Sequence, residues 1–248
     1  MQETIKSKVY LIPCFIDEQS IHTVPAYITN AVKDCQVFFA ENERTARRFL
    51  KQLWKYHLPG QEIIIDNYEW VTIHKAEAEV QSIFRQKIKE GKNIGIISEA
   101  GCPGVADPGQ LLAGIAQEMN VEIKPLVGPS SILLALMASG MNGQQFQFVG
   151  YLPIDTNVRI KAIKELEAES KKKDCTQIFI ETPYRNNHLI ETLTKTCQPA
   201  TRLCIAMDIT GEKEWIKTKP VAEWKKEKVD AHKHPAIFLL YSGNTTAI

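Results

Sequence analysis

Short runs of Val, Ile, Leu and Phe recur along the chain at residues 9–12, 37–40, 63–65, 94–97, 121–127, 176–181, 202–208 and 236–241. Helix-length segments separate most of them, and this alternation predicts a largely parallel sheet covered by helices. In the first half the runs are continuously apolar, as in strands buried on both faces. The segment from Lys75 to Glu90 carries Ala76, Val80, Ile83, Phe84 and Ile88 along one side of a helix, and Gly91 supplies its stop. Leu189, Ile190 and Leu193 form a shorter face of the same kind.

The second half is less regular. A lysine-rich helix is expected over residues 158–173, and a short strand at Trp215 to Lys217. A boundary near residues 122–127 divides the pattern into two α/β domains, 1–122 with a mostly parallel sheet and 123–248 with a mixed one. No fixed-period repeat is visible. Lys171, Lys172 and Lys173 read as a solvated helix end favoured by the helix dipole.

Composition narrows the function classes. Of 248 residues, 44% are hydrophobic and 24% charged, which is ordinary globular usage. Thirty basic against twenty-nine acidic residues leave a charge of +1, so a polyanionic partner would have to be met by a local patch. The six cysteines are scattered without metal-ligand or redox-pair spacing; this fits a reducing cytoplasm and implies no metal site. VYLIPCFI, near the start, is too short for a signal peptide or a membrane span, so a soluble, cytoplasmic protein with no membrane partner is expected. Phosphate-loop, dinucleotide-fingerprint, zinc-protease and serine-elbow motifs are missing from the sequence.

What remains is a set of loops at the ends of apolar runs, where open α/β sheets bind ligands. SEAGCPGVADPG, residues 98–109, directly follows IGII and holds three glycines and two prolines. Gly101 and Gly104 permit close backbone approach, while Pro103 and Pro108 stiffen the loop. A second such loop opens PLVGPSSILLALMASG, where Gly128 and Pro129 turn the chain and Ser130 or Ser131 can cap the following helix. Two loops at adjacent strand ends would form one cleft. FVGYLP, residues 148–153, read alone is a strand-to-loop exit. Glu41, Glu99, Asp107 and Glu181 fall at strand ends or in these loops. Arg44, Arg47 and Arg48 place three of the chain's seven arginines in five residues, a cluster suited to phosphate or to a polycarboxylate.

These stretches carry a resemblance. SEAGCPGVADPG and LVGPSSILLALMASG resemble the two glycine loops of the S-adenosylmethionine-dependent tetrapyrrole methylase superfamily. FVGYLP, AENERTARRFL (40–50) and IETPYRNNHLIETL (180–193) are similar, in the same order, to elements of its small-subunit ribosomal RNA branch. The resemblance implies the class III methyltransferase fold, with S-adenosyl-L-methionine held in a cleft between two α/β domains. By carry-over, Pro13, Cys102, Val105, Ser131, Ile132, Glu181, Met207 and Ala236 lie in or beside the cofactor pocket, and Gly101 and Gly128 shape it. The implied reaction is methylation of a ribose 2′-hydroxyl of small-subunit ribosomal RNA by a homodimer. A weakly acidic hydroxyl benefits from a base, and Glu41 is the choice, with Arg44 and Arg185 as catalytic partners.

The chain also departs from that branch. PCFIDEQ replaces a glycine- and asparagine-bearing loop after the first strand, Asn42 stands for an aspartate, Ala46 for a hydroxyl residue, and DNYEWVTIHKAE for a histidine-containing segment. The chain runs only a few residues past IFLLYSGN, without the helical extension of longer members. Two alternatives stay open: a small-molecule methylase taking a tetrapyrrole-like acid, and a binding module that keeps the cofactor without transfer.

Overall fold

A computed structural model describes residues 7–73 and 77–243. The chain forms two compact units, Met1–Ser130 and Ser131–Ile248.

In the first unit, β1 (Lys8–Ile12), β2 (Val37–Ala40), β3 (Glu69–Thr72), β4 (Ile94–Ile97) and β5 (Glu122–Pro125) form one sheet in the order β3-β2-β4-β1-β5. Every pairing is parallel. Alternate residues of β2 explain its continuous apolar reading. Phe38 and Ala40 pack with α1 (Ile28–Asp34) and α2 (Glu43–His57). Val37 and Phe39 pack with α3 (Glu77–Lys89) and α4 (Gly109–Glu118) on the other face. β1 therefore leads to a helix on one face and its neighbour β4 to a helix on the opposite face. Their carboxyl ends diverge, which makes a topological switch point.

Two expectations shift. Residues 63–65 are not a strand: the chain enters a 3-10 turn at Ile65–Asn67, and the place beside β2 goes to β3. β3 is an edge strand paired with β2, and the Trp70 and Tyr68 rings, 5.0 and 4.9 Å from that of Phe38, pack it without a continuous apolar run. A domain boundary at 122/123 would detach β5 from β1, with which it pairs from Lys8↔Glu122 to Leu11↔Pro125; the division falls at Ser130/Ser131. The expected helix start at Lys75 and Ala76 lies outside the described residues. From Glu77 onward the apolar face is present, with Val80, Phe84 and Ile88 buried, and Gly91 turns the chain at φ +74°.

In the second unit, β6 (Phe146–Tyr151), β7 (Thr176–Ile180), β8 (Arg202–Met207), β9 (Trp215–Pro220) and β10 (Ala236–Tyr241) are ordered β6-β7-β10-β8-β9. Only β6–β7 is parallel, so the sheet is mixed. FVGYLP is thus mostly strand: its first four residues end β6, with a bulge between Phe148 and Gly150. β9 extends beyond the three residues expected for it. α5 (Ser131–Ser139) packs on β9 and β10. α6 (Thr156–Lys173) begins with the Asp155 side chain accepting from Asn157 and Val158 N–H and ends in the three exposed lysines. α7 (Asn186–Thr196) buries Leu189, Ile190 and Leu193, and α8 (Val221–Trp224) follows β9.

Candidate active site

The carboxyl edge of the first sheet gathers four of the expected residues. The Cys14 N–H donates to the Gly101 carbonyl at 2.9 Å, tying the loop after β1 to the loop after β4. Gly101 adopts φ +69°, a region open to glycine and strained for other residues. The Ser98 hydroxyl donates to the Gly101 carbonyl at 3.2 Å and holds the turn from inside. The Cys102 thiol reaches the carbonyls of Gly128 and Pro129 at 3.7 and 3.5 Å, joining the loop after β5. At Gly128 a Cβ would stand 2.2 Å from Cβ of Pro13 and 2.3 Å from its Cγ, so only glycine fits there.

Asp107 organises the same loop. Its Oδ1 accepts from the N–H groups of Gly104 at 2.8 Å and Gly109 at 2.7 Å, whereas the buried Oδ2 has no hydrogen-bond partner. Burial raises its pKa, against the lowering effect of those two N–H donors. Val105, in the same loop, is half exposed.

Glu41 follows β2 at this edge, and its Oε1 accepts from the Glu99 N–H at 3.3 Å. A cavity of about 150 Å³ opens beside it, lined in part by Cys14, Ser98, Glu99, Thr45 and Arg48. Burial, and then the Glu41 charge, pushes the Cys14 thiol pKa up; burial and Asp107 do the same to Cys102. Both sulfurs stay protonated near neutrality and are poor nucleophiles.

Arg44 sits in the first turn of α2, exposed and without an ion pair among the described residues. The Asn42 side chain caps that helix by accepting from the N–H groups of Arg44 at 3.0 Å and Thr45 at 3.3 Å. The departure from aspartate therefore keeps a capping oxygen. Arg47 pairs with Glu43 and Asp66, each at 2.8 Å, and lies over the Trp70 ring; Arg48 pairs with Glu18. An Arg47–Glu41 pairing, open to the sequence, is not the one formed.

In the second unit, Glu181, Met207 and Ala236 share one edge of the sheet. Ala236 is opposite Met207, and Ile237 opposite Ile180, the residue before Glu181. The Glu181 side chain is 1% exposed. Its Oε1 accepts from Thr182 N–H at 2.7 Å and from Arg185 Nε and Nη2 at 3.0 and 2.6 Å, while the buried Oε2 has no hydrogen-bond partner. Arg185, expected beside the reacting groups, is thus held by a carboxylate of its own unit. Ser131 and Ile132 open α5, apart from this edge in sequence and element.

Sequence reasoning passed over the polar groups that frame this edge. His234 Nδ1 and Asp208 Oδ2 are 2.6 Å apart, and Asn186 Nδ2 donates to the carbonyls of Ala231 at 3.3 Å and His234 at 2.7 Å. Asp208 and Thr210 take left-handed backbones at φ +49° and +70°. Nothing in local periodicity marks them; the aspartate that closes the run 202–208 was the one available sign.

Residues 25–225 match the family model described as Tetrapyrrole (Corrin/Porphyrin) Methylases. The chain belongs to that family. It is a methyltransferase with an α/β fold. It is 29% identical over 239 residues to "Ribosomal RNA small subunit methyltransferase I" of Buchnera aphidicola subsp. Schizaphis graminum, covering 95% of this chain and 78% of that protein. It is 31% identical over 157 residues to the protein of the same name in Escherichia coli O157:H7, covering 62% of this chain and 54% of that one. Among solved structures, uroporphyrin-III C-methyl transferase from Thermus thermophilus complexed with S-adenyl homocysteine superposes with a TM-score of 0.54 at 15% identity, over 95% of this chain and 97% of that one. Among the described residues no helix is long and apolar enough to cross a membrane, and no group of three or more His, Cys, Asp or Glu is placed to hold a metal.

Proposed function

We propose that this methylase uses S-adenosyl-L-methionine to methylate a ribose 2′-hydroxyl of small-subunit ribosomal RNA, in the cytoplasm where that RNA is assembled. The observation that carries the cofactor half is the Gly128–Pro13 approach. It packs the loops after β1 and β5 against each other at the carboxyl edge of the sheet, where open sheets take their ligands. The residues fit the group: Gly101, Cys102 and Gly128 present main chain and one small side chain at this edge, and in the second unit the buried Glu181 Oε2 has no hydrogen-bond donor. Pro13, Gly101, Cys102, Val105, Gly128, Ser131, Ile132, Glu181, Met207 and Ala236 are the proposed binding set. When bound, the cofactor supplies a methyl group on a positively charged sulfur, so alignment and exclusion of water are the main demands.

Glu41 is the proposed base. Its position after β2, with one oxygen oriented by the Glu99 N–H, leaves it at the edge to accept the proton of an acceptor hydroxyl. Arg44, three residues farther on in the first turn of α2, serves as the acceptor's anion contact. Arg185 acts through Glu181 by fixing that carboxylate. The similarity to bacterial proteins named ribosomal RNA small subunit methyltransferase I supports RNA as acceptor. Incubation of the protein with methyl-labelled S-adenosylmethionine and unmodified small ribosomal subunits, followed by nucleotide mapping, tests the reading. A labelled 2′-O-methyl nucleotide in the small-subunit RNA is expected; label appearing only on an added tetrapyrrole acid would replace RNA as the substrate.

A further inference from the structure

The outer flank of α2 carries a row of cations, of which the methyl-transfer reading uses only Arg44. A groove of about 830 Å³ on this flank is lined wholly by α2 residues, with Arg44, Arg47, Arg48, Lys51 and Lys55 against a single acid, Glu43. Arg47 is committed to Glu43 and Asp66, and Arg48 to Glu18. Arg44, Lys51 and Lys55 are exposed and form no ion pair among the described residues. At 3.6 residues per turn these three lie within about 40° of one another around the helix axis, and they span roughly 16 Å along it. A second depression, lined in part by Lys51, Lys55, the Pro59–Gly60 turn and one acid, Glu62, continues the row at its far end.

The charge is local. The whole chain carries only +1, yet one helix flank presents three uncompensated cations in a line that begins next to Glu41. An exposed helix flank without an enclosing apolar wall offers nothing to the faces of a flat macrocycle. It suits a string of phosphates, each met by a guanidinium or ammonium group. The geometry points to this flank of α2 as a phosphate-binding rail that grips the RNA backbone and leads it toward the carboxyl edge of the first sheet. This inference rests on the RNA reading above and goes beyond it by naming the surface that holds the substrate.

Lys51→Gln combined with Lys55→Gln tests it in the full chain. Wild type, this double variant and a control, Lys171→Gln with Lys172→Gln at the exposed end of α6, are titrated with unmodified small ribosomal subunits by filter binding over a series of KCl concentrations. Titration calorimetry with S-adenosylhomocysteine confirms that each variant keeps its fold and cofactor site. Each lost phosphate contact lowers the slope of log K against log[salt] by about 0.7 for single-stranded RNA, so the double variant should lose about 1.4 in slope and bind roughly 10-fold more weakly at low salt. The control should match wild type, and Lys51→Arg with Lys55→Arg should restore both slope and affinity. Equal affinity and slope in wild type and the Lys51/Lys55 variant, or an equal loss in the α6 control, overturns the rail while leaving the RNA reading standing. No subunit binding by wild type overturns that reading and the rail with it; binding of a polycarboxylate tetrapyrrole that the double variant loses assigns the flank to that ligand instead.

Discussion

The ring of Pro13 fills the space that a side chain on Gly128 would need: an alanine Cβ there would fall 2.2 Å from Pro13 Cβ. Two loops that are 115 positions apart are thereby packed backbone against ring at the ends of neighbouring strands β1 and β5. Gly128→Ala cannot be absorbed by a flexible side chain, since both the ring and the backbone beneath it must shift. Overpacking of this kind costs about 1–3 kcal/mol. Thermal unfolding should show a lower Tm, by roughly 2–4 °C per kcal/mol in a chain of this size, and calorimetry a weaker S-adenosylmethionine affinity. Wild-type values for both would refute this packing.

Asp107 gives a pH signature. Burial raises its pKa above the ordinary 3.8, so the folded protein holds this proton more tightly than the unfolded chain does. The group's contribution to stability is full below pH about 4 and declines as pH rises through the folded-state value. Asp107→Asn keeps an amide oxygen for the Gly104 and Gly109 N–H groups and should abolish that decline. Asp107→Ala strips the acceptor from both amides and should destabilise by about 1–3 kcal/mol at every pH. The difference in Tm between wild type and Asp107→Asn, followed from pH 4 to 7, checks the sign; a wild-type contribution growing with pH would contradict it.

Glu41→Gln preserves an oxygen for the Glu99 N–H and removes the proton acceptor. Turnover on small ribosomal subunits should fall by about 10²–10⁴, with calorimetric cofactor affinity unchanged. Near-wild-type turnover would move the base elsewhere.

Arg185 places both Nε and Nη2 on Glu181 Oε1, a carboxylate whose side chain is 1% exposed. Arg185→Ala leaves a buried anion without its cation, and Arg185→Lys restores one of the two donors. Tm should therefore rank wild type above lysine above alanine, with cofactor affinity following the same order. Equal Tm values with lost turnover alone would mean that Arg185 touches the acceptor.

Much of the first unit was legible because its strands are buried on both faces and its loops are rich in glycine and proline. Residues 37–40 and 94–97 needed no partner to be recognised, and SEAGCPGVADPG announced a preformed turn. Glu41, Gly101 and Gly128 came from the same local signals, whereas Cys102 came from the family resemblance. β3 escaped because an edge strand held by Trp70 against Phe38 needs no apolar run, and an exposed isoleucine at 64 offered a false one.

Composition and local pattern, then, determined the α/β class, the paired glycine loops and the acids at strand ends, since burial periodicity and backbone freedom are written residue by residue. Tertiary structure alone decided that β5 belongs with β1, that Pro13 meets Gly128, that Arg185 serves Glu181, and that Asp208 faces His234. Those are choices among partners far apart in the chain, made by which strand ends the sheet order brings side by side, and no local run of residues encodes them.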